Sequence, residues 1–185
     1  NPHFLFNNLN NLYVHAINKS PETPNIIIEL ASVLRYMLYD CKEEYTPLEK
    51  EITNLKHYTG LNKLQIGDRG SIEFKVKSIP SGYSIAPLIL VVFVENAFKH
   101  STASQSEDII IKIFISVDKK GLLKFHCKNS YSSTTNIEKL DKGIGLLNVK
   151  KRLELLYEDA HELKILQTEN SYDVKLSLQL KSDVS

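Results

Sequence analysis

Three clusters in this chain have the residue types and spacing to do chemistry. The first is the opening stretch Asn1-Pro2-His3-Phe4-Leu5-Phe6-Asn7-Asn8-Leu9-Asn10. An imidazole in the first turn of a helix, flanked by amides, can turn one nitrogen outward while a hydrogen bond holds the other. A nucleophilic histidine needs that arrangement; a capping or solvated histidine has the same local sequence. The second cluster is Val94-Glu95-Asn96-Ala97-Phe98-Lys99-His100. On a helix, Asn96, Lys99 and His100 share one face at i, i+3 and i+4, with Glu95 beside it. An amide oxygen can ligate magnesium, an ammonium can reach a phosphate, and a carboxylate can order a proton or a water. A plain solvated helix end is the competing reading. The third cluster is Lys142-Gly143-Ile144-Gly145-Leu146-Leu147-Asn148, followed by Arg152. Two glycines at the mouth of a helix let a phosphate approach the backbone N–H groups at its positive end, although many such pairs are simple turns.

The elements that must position these clusters can be read from periodicity. Phe4, Leu5, Leu9, Leu12, Tyr13, Ala16 and Ile17 follow a helical stripe, with Asn1 as a cap and Pro2 in a tolerated first-turn position. Ser20-Pro21-Glu22-Thr23-Pro24 marks a turn. Ile26, Ile27, Leu30, Val33, Leu34, Met37 and Leu38 then repeat at helical spacing to about Asp40. Two helices joined so closely form an antiparallel hairpin, whose broad apolar face must dock on another surface or dimerise. A third helix is expected from Thr46-Pro47-Leu48-Glu49, read as a capping box, to about Gln65. After Gly67-Asp68-Arg69-Gly70, strands are expected over 71–77, 108–117, 122–128, 163–168 and 172–180. A buried helix starting at Ala86 or Pro87 runs to Ser101. Another covers 144–157, with Leu147, Val149, Leu153 and Leu156 as its stripe. Residues 130–142 are polar and aperiodic, and a loop of that length in a compact domain is usually functional or mobile. The expected class is α+β. A helical hairpin over 1–45 precedes an α/β sandwich over 46–185, in which helices cover one face of a mixed or antiparallel sheet.

Bulk properties exclude several function classes. The 185 residues are 42% hydrophobic, enough for a real core. Lys and Arg number 23 against 22 Asp and Glu, so no global field steers the chain toward nucleic acid or an anionic membrane. Cys41 and Cys127 are isolated, forming neither a metal cluster nor a disulfide framework, and a reducing cytoplasm suits them. The longest apolar run, from Ile85 to Val94, is about half the ~20 residues that span a bilayer. The chain opens without Met, and the expectation is of a segment of a longer protein.

Taken together and in this order, the clusters resemble the LytS/YehU-type family of sensor histidine kinases. NPHFLFNNLN is similar to that family's phosphoacceptor motif. Leu34-Arg35-Tyr36, Leu48-Glu49-x-Glu51 and Tyr58 also match; VENAFKH resembles the asparagine box of GHKL ATPases, and GIGLLNVKKRL their second glycine box. The resemblance implies a Bergerat-type ATP-binding domain and a homodimer built on the hairpin, the cytoplasmic portion of an inner-membrane sensor. ATP with Mg2+ would phosphorylate His3, and the phosphoryl group would pass to an aspartate on a response-regulator receiver domain. By the same resemblance Asn96 holds magnesium, Lys99 and His100 lie by the phosphates, and Glu95 helps to activate the acceptor. Gly143, Gly145 and Leu146 shape a lid, with Asn148 and Arg152 supporting that wall.

One departure stands out. The superfamily places an aspartate after a strand, where it accepts a hydrogen bond from the adenine amino group. Here the stretch reads Phe125-His126-Cys127-Lys128-Asn129-Ser130, with Lys128 aligned with that aspartate and Ser130 with the glycine that follows in the family's box. An ammonium cannot accept a hydrogen bond, so adenine recognition would fall to Asn129 or to water. A second reading follows from this: a pseudokinase-like signalling scaffold that dimerises and docks a regulator with little or no ATP turnover.

Overall fold

A computed structural model describes residues 2–77, 79–131 and 144–182, with the side chains of Pro2, His3 and Ile144 outside that description. Helices α1 (Pro2–Ile17) and α2 (Thr23–Leu38) form the expected hairpin. Helix α3 (Leu48–Ile66) follows a two-residue strand, β1 (Thr46–Pro47). Then come β2 (Gly70–Lys77), β3 (Tyr83–Ile85), α4 (Ile89–Ser104), β4 (Ile109–Val117), β5 (Leu122–Ser130), α5 (Ile144–Leu156), β6 (His161–Gln167), β7 (Ser171–Gln179) and β8 (Lys181–Ser182).

The main sheet has five strands in the order β2-β4-β5-β7-β6. Only β2 and β4 run parallel, as the intervening crossover through α4 requires; the other neighbours are antiparallel. Strand alternation decides which residues meet the helices. Ile109, Ile111, Ile113, Ile115, Leu123, Phe125, Cys127, Val174, Leu176 and Leu178 are buried under the helical layer, where Phe93 of α4 meets Phe125 at 5.8 Å between ring centroids. The opposite face carries Ile110, Lys112, Phe114, Lys124, Lys128 and Lys175, all exposed. A second sheet, β1-β3-β8, ties the start of α3, the entry to α4 and the end of the chain together.

The hairpin belongs to the same apolar cluster as the sandwich. Phe4, Ile26, Leu30 and Val33 are buried with residues of α3, α4 and the sheet. Burying side chains of that size stabilises the docked hairpin by about 1.5–3 kcal/mol each. A second apolar face of the hairpin stays exposed: Phe6, Leu9, Tyr13, Val14 and Ile17 on α1, and Ile27, Ile28 and Leu38 on α2.

Three local expectations are corrected. Thr46 and Glu49 form no capping box: Pro47 precedes α3 without a side-chain cap bond, because the residues before the helix are drawn into pairing with β3. The stripe of α5 buries Val149 and Leu153 but leaves Leu147 exposed, and Leu146 is the half-buried residue of that turn. β3, too short to show an alternation, was not expected. The loop expected over 130–142 falls mostly outside the described residues, apart from Ser130, which ends β5, and Tyr131.

Candidate functional site

Helix α4 is buried on one side through Ile89, Leu90, Val91, Phe93, Val94, Ala97, Phe98 and Ser101. Its other side, Val92, Glu95, Asn96, Lys99 and His100, is half-buried and follows the i, i+3, i+4, i+7, i+8 spacing of one face. The polar residues predicted from sequence are therefore side by side. Among the described residues neither Asn96 nor Lys99 spends its side chain on a hydrogen bond or an ion pair, which leaves an amide oxygen and an ammonium available to a ligand. The face of α4 continues into α5: a Cβ placed on Gly145 would lie 3.5 Å from Val92 Cγ1.

The far end of α4 meets the end of β5. Asn129 is buried, and its amide nitrogen donates to Ser101 Oγ at 3.0 Å and to the Ser130 carbonyl at 2.8 Å. Its Oδ1 is buried with no hydrogen-bond partner among the described residues. A buried acceptor left unsatisfied costs about 1–3 kcal/mol, so a donor arriving there gains correspondingly. Lys128, one residue earlier on the strand, is exposed on the opposite face of the sheet. The alignment of Lys128 with the adenine-binding aspartate is thus corrected: side chains alternate along a strand, and Asn129 is the residue that faces α4. His100 stacks on Tyr172 at 5.9 Å, and Tyr172 is the cross-strand partner of Asn129. Burial, with the adjacent Lys99 charge second, holds His100 below the ordinary imidazole value, which favours its neutral form.

The opening motif reaches the same region. His3 is helical in the first turn of α1, and its side chain lies outside the described part. The next residue, Phe4, stacks on Tyr58 of α3 with centroids 4.5 Å apart and ring planes 18° apart. Burial, and then the charge of Glu95, push the Tyr58 phenol above its ordinary value, so α1, α3 and α4 converge there. Of the third cluster, Gly143 lies outside the described residues. Gly145 is the exposed second residue of α5, Leu146 is half-buried and Asn148 is exposed. Arg152 turns to the protein instead of an opening: its Nη1 donates to the Pro87 carbonyl at 2.8 Å, just before α4.

Sequence reading assigned no role to Glu51 and Tyr36, which the fold places at the base of α4. Glu51 is fully buried. Its carboxylate accepts hydrogen bonds from the Tyr36 hydroxyl and from the amides of Leu88 at 3.0 Å and Leu90 at 3.3 Å. The available signal was a carboxylate at a position where the helical stripe Leu48, Ile52, Leu55, Tyr58 demands burial. Among the described residues no group of three or more His, Cys, Asp or Glu side chains could hold a metal alone. Cys127 is buried, and burial followed by the nearby Asp173 pushes its thiol up to about 12, leaving it unreactive. No described helix is long and apolar enough to cross a membrane.

Residues 1–70 match the family model for histidine kinases. The chain is similar to the sensor protein LytS of Staphylococcus saprophyticus, 25% identical over 89% of this chain and 30% of that protein. The LytS of Staphylococcus epidermidis is 23% identical over 98% of this chain and 32% of that protein. The chain therefore spans about a third of the length of these relatives. In fold it is similar to the histidine kinase domain of a blue-light activated kinase from Erythrobacter litoralis (TM-score 0.55, 11% identity, covering 83% of this chain and 72% of that one). It is also similar to full-length ShkA, solved in complex with AMPPNP (TM-score 0.54, 16% identity, covering 92% of this chain and 38% of that one). In its opening motif, in its similarity to LytS along most of its length and in its fold, the chain resembles the LytS-type sensor histidine kinases.

Proposed function

We propose that this chain is the kinase core of a two-component sensor protein, in which residues 1–45 form the phosphoacceptor and dimerisation hairpin and residues 46–185 bind ATP. The packing of the opening motif carries the reading: Phe4 stacks on Tyr58 of α3, and α3 packs against α4, whose open face bears Glu95, Asn96, Lys99 and His100. Adenine would sit at the Asn129 end, where Oδ1 is a buried acceptor suited to the exocyclic amino group. The phosphates would lie along Lys99 and toward the start of α5, where Gly145 and Leu146 stand in the first turn. Asn96 offers magnesium the single hard oxygen it commonly takes from protein when phosphates and water complete its shell, and the ion would neutralise phosphate charge there.

In the reaction the lone pair of a neutral His3 nitrogen attacks the γ-phosphorus. A P–N bond forms, the bond to the β–γ bridging oxygen breaks, and ADP leaves with that electron pair. Glu95 accepts the proton released from the imidazole. The phosphoryl group then passes to a receiver-domain aspartate. That a protein of similar fold has been solved with AMPPNP supports the nucleotide half of the reading. The scaffold alternative rests on Lys128 and Ser130, and of these Lys128 is turned away from α4.

Incubation with γ-labelled ATP and magnesium tests the reading. The expected product is protein-bound label that is acid-labile and base-stable. His3→Gln should still bind nucleotide and take up none. Label on that variant would move the acceptor elsewhere, and no nucleotide binding at millimolar ATP would overturn the kinase reading.

A further inference from the structure

The backbone from Ala86 to Leu90, which launches α4, is held from three directions. The Ala86 amide donates to Tyr157 Oη at 2.7 Å, and the Pro87 carbonyl accepts from Arg152 at 2.8 Å; both partners belong to α5 or its end. The Leu88 and Leu90 amides donate to the two oxygens of Glu51 on α3. Leu88 itself has φ +61°, a left-handed conformation that a branched side chain adopts only when its surroundings enforce it. Glu51 in turn is gripped by the Tyr36 hydroxyl, and Tyr36 stands on α2, the second helix of the acceptor hairpin.

A fully buried carboxylate is stable only when its oxygens are satisfied. Here the donors are two α4 amides, which are otherwise orphaned at a helix start, and one hydroxyl delivered by the hairpin. If α2 moves and takes Tyr36 with it, a buried carboxyl oxygen is left short of a hydrogen-bond partner, and the group must shift toward a new one. That shift pulls on Leu88 and Leu90, about two turns before Asn96. The seam beside Tyr36 has room for such movement: a cavity of about 430 Å³ lies between α2 and α3, lined by Ser32, Arg35, Tyr36, Lys50, Asn54 and His57.

The geometry points to Tyr36 as a positioning residue: through Glu51, it lets the orientation of the acceptor hairpin set the start of α4 and thereby the nucleotide-facing row that follows. The nucleotide part of this inference rests on the kinase reading above; the mechanical part does not.

The experiment compares the chain with Tyr36→Phe, which keeps the ring and removes the hydroxyl, with Glu51→Gln, and with the double variant. Tyr39→Phe serves as control, since Tyr39 is exposed at the end of α2 and contacts neither Glu51 nor the 86–90 backbone. Two readouts are taken: amide exchange over residues 86–92 under native conditions, and the KM for ATP in autophosphorylation. In Tyr36→Phe, exchange at Leu88 and Leu90 should rise about tenfold, the size expected for losing one buried hydrogen bond, while the protection of β4 and β5 is unchanged. The ATP KM should rise, and Tyr36→Phe should add nothing further on a Glu51→Gln background. Wild-type behaviour of Tyr36→Phe in both readouts, additive effects of the two substitutions, or a uniform rise in exchange across all helices would each overturn the inference. Exchange needs no nucleotide, so a wild-type chain that takes up no label would sink the kinase reading and leave this test standing.

Discussion

Asn129 and Lys128 show how much depends on a single step along a strand. Both are polar and adjacent, and as letters they are equal candidates for contact with a base. In β5 they face opposite ways, so one is buried against Ser101 and the other lies in solvent. The consequence is measurable. Asn129→Ala should weaken ATP binding about tenfold, by loss of a buried hydrogen-bond partner, whereas Lys128→Ala should change it less than about twofold. Calorimetric titration of ATP into the two variants checks this; the reverse order would return Lys128 to the site. Glu51 teaches the same lesson from the other side. It was legible as part of a motif, but its role depends on amides and a hydroxyl contributed by residues up to thirty-nine positions away.

At the level of elements, α4 was the most readable part of the chain. Its apolar run and its Glu95-Asn96-Lys99-His100 face are set by helical periodicity alone. Its first turn was not readable, because a left-handed Leu88 and a cap supplied by α3 leave no local signature. The start of α3 was misread for a related reason: a local capping pattern at Thr46 lost to strand pairing with β3. The docking of α1 is an inter-element event too, and Phe4 carries much of it. Phe4→Ala should destabilise the folded chain by about 3 kcal/mol in denaturant unfolding. It should also slow label uptake on His3 at saturating ATP, because α1 is then less firmly held beside Glu95. Unchanged uptake would mean that the docked position of α1 seen here is not the one that reacts.

For the molecule as a whole, the hairpin has one apolar face too many for a single chain. Ile26, Leu30, Val33 and Phe4 are buried against α3, while Phe6, Tyr13, Ile17, Ile28 and Leu38 remain more than half exposed. An apolar surface of that extent along two helices fits the homodimer proposed for the family's hairpin. Ile28→Glu combined with Tyr13→Glu should leave the fold intact and convert a dimer to a monomer in sedimentation velocity. A wild-type chain that sediments as a monomer at high micromolar concentration would assign that face to another partner.

The sequence by itself determined the class of the fold, nearly every helix and strand of the sandwich, and the polar face of α4, because periodicity and motif spacing are properties of the chain. Tertiary structure alone decided which of Lys128 and Asn129 faces α4. It alone turned Arg152 to the Pro87 carbonyl and joined Tyr36 through Glu51 to the start of α4. Those outcomes follow from where buried donors and acceptors find partners, and the partners come from elements far apart in the chain.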